Sequence, residues 1–229
     1  MFFDPLYLVI MIVSAAISFG AQMWVMAAVR SKSKVALRSG LTGADVAATI
    51  LKQSRLPGVR IEMADGFLSD HYDPSTRTLR LSHDNFYGRS VAAAGIAAHE
   101  AGHAVQHAEG YWPMQIRQRL VPVANLGTQL GVILVMIGFA LGFLGLAKIG
   151  VVVFAGFVAF TLITLPVEFN ASTRAKAALA RSGLLAGEEL RGVSSVLTAA
   201  AATYVAAAVT AILQLLYFVL RLQGSDRDR

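Results

Sequence analysis

The chain has 229 residues, no cysteine and a formal net charge of +6. At 55% hydrophobic residues and a mean hydropathy of +0.58, it is too apolar for an ordinary soluble domain and reads as a membrane protein. The lack of cysteine excludes a disulfide framework and a thiolate metal site, so any transition-metal centre must use carboxylates and the five histidines, His71, His83, His99, His103 and His107.

Leu6–Val29 is 24 residues without a charge, long enough to cross a bilayer. The residues before it hold Asp4 and no basic residue, unlike the positive start of a cleaved signal peptide. Residues 1–29 are therefore expected to form a retained N-terminal membrane anchor.

Residues 30–119 form the main polar lobe. Thr42-Gly-Ala-Asp45 predicts a capped helix start, with the helix running to about Ser54, before Pro57-Gly58. Val59–Met63 alternates weakly, as a strand does. Phe67–Leu81 predicts a small antiparallel hairpin turning at Asp73-Pro74-Ser75-Thr76. Its second strand, Arg77–Ser82, is expected at an edge, where an extended peptide could add alongside it. Ser90 is the expected N-cap of a long helix, Val91–His107.

Between Arg119 and Glu168 lie 48 residues with a single charge, Lys148. Residues 120–167 predict a transmembrane helical hairpin, Pro122–Ala147 and Ile149–Val167, turning near Lys148. Gly138, Gly142, Gly145, Gly150 and Gly156 would let its helices pack closely. Residues 168–196 predict a further helix. Residues 197–229 predict a C-terminal hydrophobic helix, about Leu197–Leu220, and a short tail.

Of the 20 basic residues, 12 fall in 30–119 and 4 in 168–191. The positive-inside rule puts both segments in the cytoplasm, with the hairpin dipping out and back between them. The C-terminus then lies outside if the last helix crosses, and inside if it does not. Basic residues beside spans are topology signals. With no helix-turn-helix or RNA-recognition signature present, nucleic acid is not an expected partner.

Within the long helix stands His99-Glu-Ala-Gly-His103, an H-E-x-x-H motif. Two histidines four apart share a helix face and can reach one Zn²⁺. The intervening Glu100 projects beside the metal, where it can act as general base toward water. A catalytic zinc needs a third protein ligand. His107 lies two turns from His99, and its nitrogen falls about 6 Å beyond that of His103 by helix rise. Glu109 holds the third-histidine position of the longer H-E-x-x-H-x-x-G-x-x-H pattern, but Gln106 replaces the glycine that pattern needs. Glu168 is the best candidate: an ionisable group at the end of an apolar span needs a partner. A hairpin makes two crossings, so His99, His103 and Glu168 lie on one side of the membrane.

Four strings carry a wider likeness: Asp70-His-Tyr-Asp-Pro74, His99-Glu-Ala-Gly-His-Ala-Val-Gln-His107, Thr164-Leu-Pro-Val-Glu-Phe-Asn-Ala-Ser172 and Ala200-Ala-Ala-Thr-Tyr-Val-Ala206. Together they resemble the bacterial YugP-type neutral zinc metallopeptidases, in motif order and over nearly the whole chain. The resemblance implies a membrane-bound zinc peptidase with a gluzincin-like site, in which His99, His103 and Glu168 bind the metal and Glu100 is the base. It also implies the bacterial inner membrane. The better-known HtpX-type and CAAX-type enzymes carry E-x-x-A-D at the third ligand, whereas this chain has Glu168-Phe-Asn-Ala-Ser172. The residue orienting His99 is then Ser172, Asp70 or Asp73.

The expected fold is a mainly α membrane protein of about four transmembrane helices, with a zincin-like α+β cytoplasmic lobe over 30–119. The expected activity is metalloendopeptidase cleavage of membrane proteins or peptides beside the bilayer, with self-association open. A second electrophile would come from His71, Tyr72, Arg174 or Tyr204. A non-catalytic zinc-binding scaffold would not need Glu100, and a metal transporter would need ionisable groups deep in several spans.

Overall fold

The structure is a computed structural model and describes residues 4–66, 69–185 and 187–227. Phe67 and Leu68, at the start of the expected hairpin, lie outside the described residues. In chain order the elements are α1 (Pro5–Lys32), α2 (Gly43–Gln53), β1 (Arg60–Ala64), β2 (His71–Asp73), β3 (Thr78–Ser82), α3 (His83–Phe86), α4 (Val91–Ala108), α5 (Trp112–Ala140), α6 (Leu144–Arg181) and α7 (Glu188–Arg227). They fall into two compact units. The first comprises Met1–Gln22, Gln115–Pro166 and Thr203–Arg229, and the second Met23–Met114 and Val167–Ala202.

The first unit is built from apolar helix. Tyr7, Val135, Phe154, Val158, Tyr217 and Phe218 form its largest buried cluster. Where α5 meets α6, glycine replaces side chain. A Cβ at Gly138 would collide with the main chain of Ala147, and one at Gly150 would stand 2.6 Å from the nitrogen of Val135. Backbones approach this closely only where side chains are absent. The hairpin turns at Leu141–Phe143, where Gly142 takes φ +66°, and not at Lys148. Lys148 sits exposed in the second turn of α6. A lone charge is a weaker turn signal than a glycine able to adopt a left-handed conformation.

By length and composition, α1, α6 and α7 can each cross a membrane. A fourth span results if the two pieces of α5, Trp112–Pro122 and Gly127–Ala140, count as one despite a 51° bend. The bend follows Pro122. Pro166 does not end α6, which is continuous to Arg181. Residues 168–196 are thus shared between the end of α6 and the start of α7. The break between them contains Gly183 and Gly187, both at positive φ.

The second unit holds the sheet. Its strand order is β1-β3-β2. β2 and β3 form the expected antiparallel hairpin, with Tyr72 opposite Leu79. β1 pairs parallel with β3, with Ile61 beside Leu79. This corrects the edge assignment: β3 is central, and β1 and β2 are the edges. Burial along nearly the whole strand accords with it, since Thr78 and Ser82 are buried as well as Leu79 and Leu81. At the turn, the Asp73 carboxylate accepts from the amide and hydroxyl of Ser75 (2.9 and 2.6 Å) and the hydroxyl of Thr76 (2.7 Å). This is the short-range bonding that makes aspartate a turn residue.

The helices of this unit start where capping chemistry demands. Thr42 and Asp45 form a complete capping box for α2. Ser90 accepts from the amide of Ala93 (3.2 Å) at the head of α4. Behind that cap Ala92, Ala93, Ala94, Ala97, Ala98, Ala101 and Ala104 are all buried. Small residues on several faces let α4 lie at the centre of the unit, against Val46, Ile50, Leu79 and Leu179.

Candidate metal centre

Four polar residues of α4 lie on one stripe. His99, His103, Gln106 and His107 follow the i, i+4, i+7, i+8 spacing of a single helix face. Gly102 lets α6 come against this helix, since a Cβ there would stand 2.7 Å from the carbonyl oxygen of Ala171. The contact brings Glu168 opposite the two histidines. His99 Nε2 lies 3.2 Å and His103 Nε2 3.6 Å from Glu168 Oε2. One ligand atom from each of the three residues lies within 4.8 Å of the others. Glu168 is only 2% exposed.

The far nitrogen of each ring is also engaged. His99 Nδ1 meets the Ser172 hydroxyl at 3.2 Å. His103 Nδ1 meets Gln106 Oε1 at 2.9 Å. The Gln106 amide donates to the carbonyl of Val167 (2.8 Å) and to Asn170 Oδ1 (2.9 Å). Arg174 Nε donates to that same oxygen (2.7 Å), and its Nη1 pairs with Glu109 (2.6 Å).

This donor set fits a divalent transition metal. Two imidazoles present Nε2 to a buried carboxylate oxygen, while hydrogen bonds at Nδ1 hold the ring planes. A cation seated among the three groups would balance the charge of the buried Glu168 carboxylate. Nitrogen and oxygen ligands of this kind suit zinc.

Glu100 is buried next to the cluster. Burial, which penalises the charged form, pushes its carboxyl up to about 7. The charge of His99 opposes that rise, the charges of Glu168 and Asp70 add to it, and a hydrogen bond from the Tyr72 main chain opposes it. A buried carboxyl poised near neutrality can both take and return a proton.

The geometry resolves which residue meets His99 at Nδ1. Ser172 does. Asp70 instead accepts from the Ser82 amide (2.8 Å) and from Asn85 (2.8 Å), while Asp73 closes its turn and pairs with Arg80 (3.3 Å). Each candidate electrophile of the second unit has another partner. His71 is exposed, with Nδ1 facing the carbonyl of Ser69 (2.8 Å). The Tyr72 hydroxyl bonds His107 Nδ1 (2.9 Å). Arg174 is engaged by Asn170 and Glu109, and Tyr204 belongs to the first unit. Sequence reasoning missed Gln106 and Asn170. The available signal was spacing: Gln106 stands three residues after His103, on the same face.

A family model described as "Putative neutral zinc metallopeptidase" matches residues 7–223. "Putative membrane protease YugP" of Bacillus subtilis (strain 168) is 43% identical over 224 residues, covering 97% of this chain and all of that protein. No solved structure matches the chain.

Proposed function

Because the chain belongs to the family described as "Putative neutral zinc metallopeptidase", we propose that it is an integral-membrane zinc endopeptidase whose metal ligands are His99, His103 and Glu168 and whose general base is Glu100. The observation that carries this reading is the convergence of the three ligand atoms within 4.8 Å, one residue along the helix from a buried carboxyl.

Zinc, when bound, polarises a peptide carbonyl and acidifies the water that attacks it. Glu100 accepts the proton of that water and passes it to the leaving amine. Ser172 and Gln106 keep the two imidazoles turned toward Glu168. β2 is a sheet edge and its Tyr72 main chain bonds Glu100, so an extended peptide pairing with β2 would lie beside the base. A sheet edge beside an H-E-x-x-H helix is the arrangement a zincin-like lobe requires. The basic residues of 30–119 and 168–191 favour a cytoplasmic site on the bacterial inner membrane. Its substrates are then membrane proteins or peptides near the inner bilayer surface.

The test is cleavage of a casein or peptide substrate by purified wild type and Glu100→Gln, with zinc measured in both. The variant should retain zinc and lose cleavage, and a chelator should abolish wild-type cleavage. Equal proteolysis by both proteins would remove Glu100 from its role. Zinc in the wild type with no cleavage of any substrate would favour a zinc-binding scaffold.

A further inference from the structure

We propose that Arg174, Asn170 and Gln106 form a polarity relay that fixes His103 as its Nδ1–H tautomer and so leaves Nε2 free for the metal. The proposal rests on the metal-site reading above and adds three positioning residues to it.

The relay follows from which groups can only donate. Arginine has no acceptor, so the Asn170 atom 2.7 Å from Arg174 Nε must be the amide oxygen. That oxygen lies 2.9 Å from one terminal atom of Gln106, which must therefore be the NH₂. A second acceptor, the carbonyl of Val167 at 2.8 Å, demands the same. Turning the Gln106 amide over would set its oxygen against two acceptors in a fully buried position. The other terminal atom of Gln106 is thus oxygen, and it faces His103 Nδ1 at 2.9 Å. An oxygen there requires a hydrogen on Nδ1. A neutral imidazole carries only one, so Nε2 keeps its lone pair, directed toward Glu168 Oε2. Glu109 anchors the distant end by its ion pair with Arg174.

His99 has no such lock. The Ser172 hydroxyl can donate or accept, so its contact with His99 Nδ1 fits either tautomer.

The experiment is zinc affinity of the full chain in detergent, by competition with a chelator, for five proteins. Gln106→Leu should bind zinc about 10- to 100-fold more weakly than wild type. Asn170→Asp keeps an acceptor toward both Arg174 and Gln106 and should bind like wild type. Asn170→Leu should lose affinity. Arg174→Met frees the Asn170 amide to turn and should lose affinity by less than Gln106→Leu. If Gln106→Leu does not fold, the Asp and Leu pair at position 170 decides the matter. A packing role alone would lower the melting temperature of the metal-free variants without separating that pair in zinc affinity. Wild-type affinity in Gln106→Leu, or equal affinity of Asn170→Asp and Asn170→Leu, would overturn the relay. Failure of the peptidase reading looks different: the affinity pattern holds, yet wild type cleaves nothing. A wild-type chain that takes up no zinc overturns both.

Discussion

The two units bury different kinds of group. Among the described residues, the buried carboxyl and imidazole side chains, Glu100, His103, Glu168 and Glu189, all belong to the second unit. In the first, the buried hydroxyls of Thr161 and Thr164 donate to carbonyls of their own helix, Val158 (2.7 Å) and Phe160 (2.8 Å), and the Tyr217 hydroxyl ties α7 to Asp4 at the head of α1 (3.1 Å). In the second unit, buried polar groups reach between elements, as from Gln106 on α4 to Val167 and Asn170 on α6. Bonds within a helix leave that helix self-contained, whereas bonds between helices fix side chains relative to one another, which is what a site requires.

The largest test of this contrast is Glu168→Ala. It removes one of the three proposed metal ligands and should weaken zinc binding by more than about 100-fold, beyond what loss of a supporting hydrogen bond costs. Undiminished zinc uptake would redirect attention to His107.

Next come matched glycine substitutions. Gly102→Val forces α4 from Ala171 and should cost about 1–3 kcal/mol of stability, together with a loss of zinc affinity. Gly138→Val should cost a similar amount at the α5–α6 contact while leaving zinc affinity at the wild-type value. Thermal melts paired with zinc titration read both quantities. If Gly138→Val weakens zinc binding as much as Gly102→Val, the two units are not separate in the way the contrast requires.

Ser90→Ala should destabilise the second unit by about 1 kcal/mol, the usual cost of losing a helix N-cap, measurable as a fall in melting temperature.

The smallest effect concerns acid. Hydrogen bonds from Ser75 and Thr76 hold the Asp73 carboxyl below its usual range. A group depressed in the folded state stabilises above its unfolded value of about 3.9 and loses that contribution as pH falls below it. Asp73→Asn should therefore flatten the decline in stability between about pH 5 and pH 2. An unchanged acid limb would mean that this turn adds nothing to acid sensitivity.

What could be read from the sequence was what local chemistry determines. The starts of α2 and α4 follow from Thr42, Asp45 and Ser90, because caps act within three residues. The Asp73 turn is equally local. The histidine pair and Glu168 stand out because ionisable residues are rare in so apolar a chain, and the fold brings them together. The sheet order was not legible: β1 joins β3 through parallel pairing across more than a dozen residues, and its alternation is weak. Lys148 drew the hairpin turn toward itself because charge is conspicuous, while the conformational freedom of Gly142 is not. In the sequence Gln106 stands out only as the replacement of a motif glycine, because a neutral amide is neither a ligand nor a base and its worth depends on partners 61 and 64 residues away.

One feature of α4 bears on how such a chain can diversify. Much of its buried surface is alanine, with Gly95 and Gly102, side chains without rotamers that cannot swing aside to admit a larger neighbour. In a saturation library the stretch Val91–Ala104 should therefore stay almost blank, while exposed positions such as Met63 on β1 accept most replacements. New substrate preferences would then have to arise at the rim of the lobe, around an axis that cannot drift.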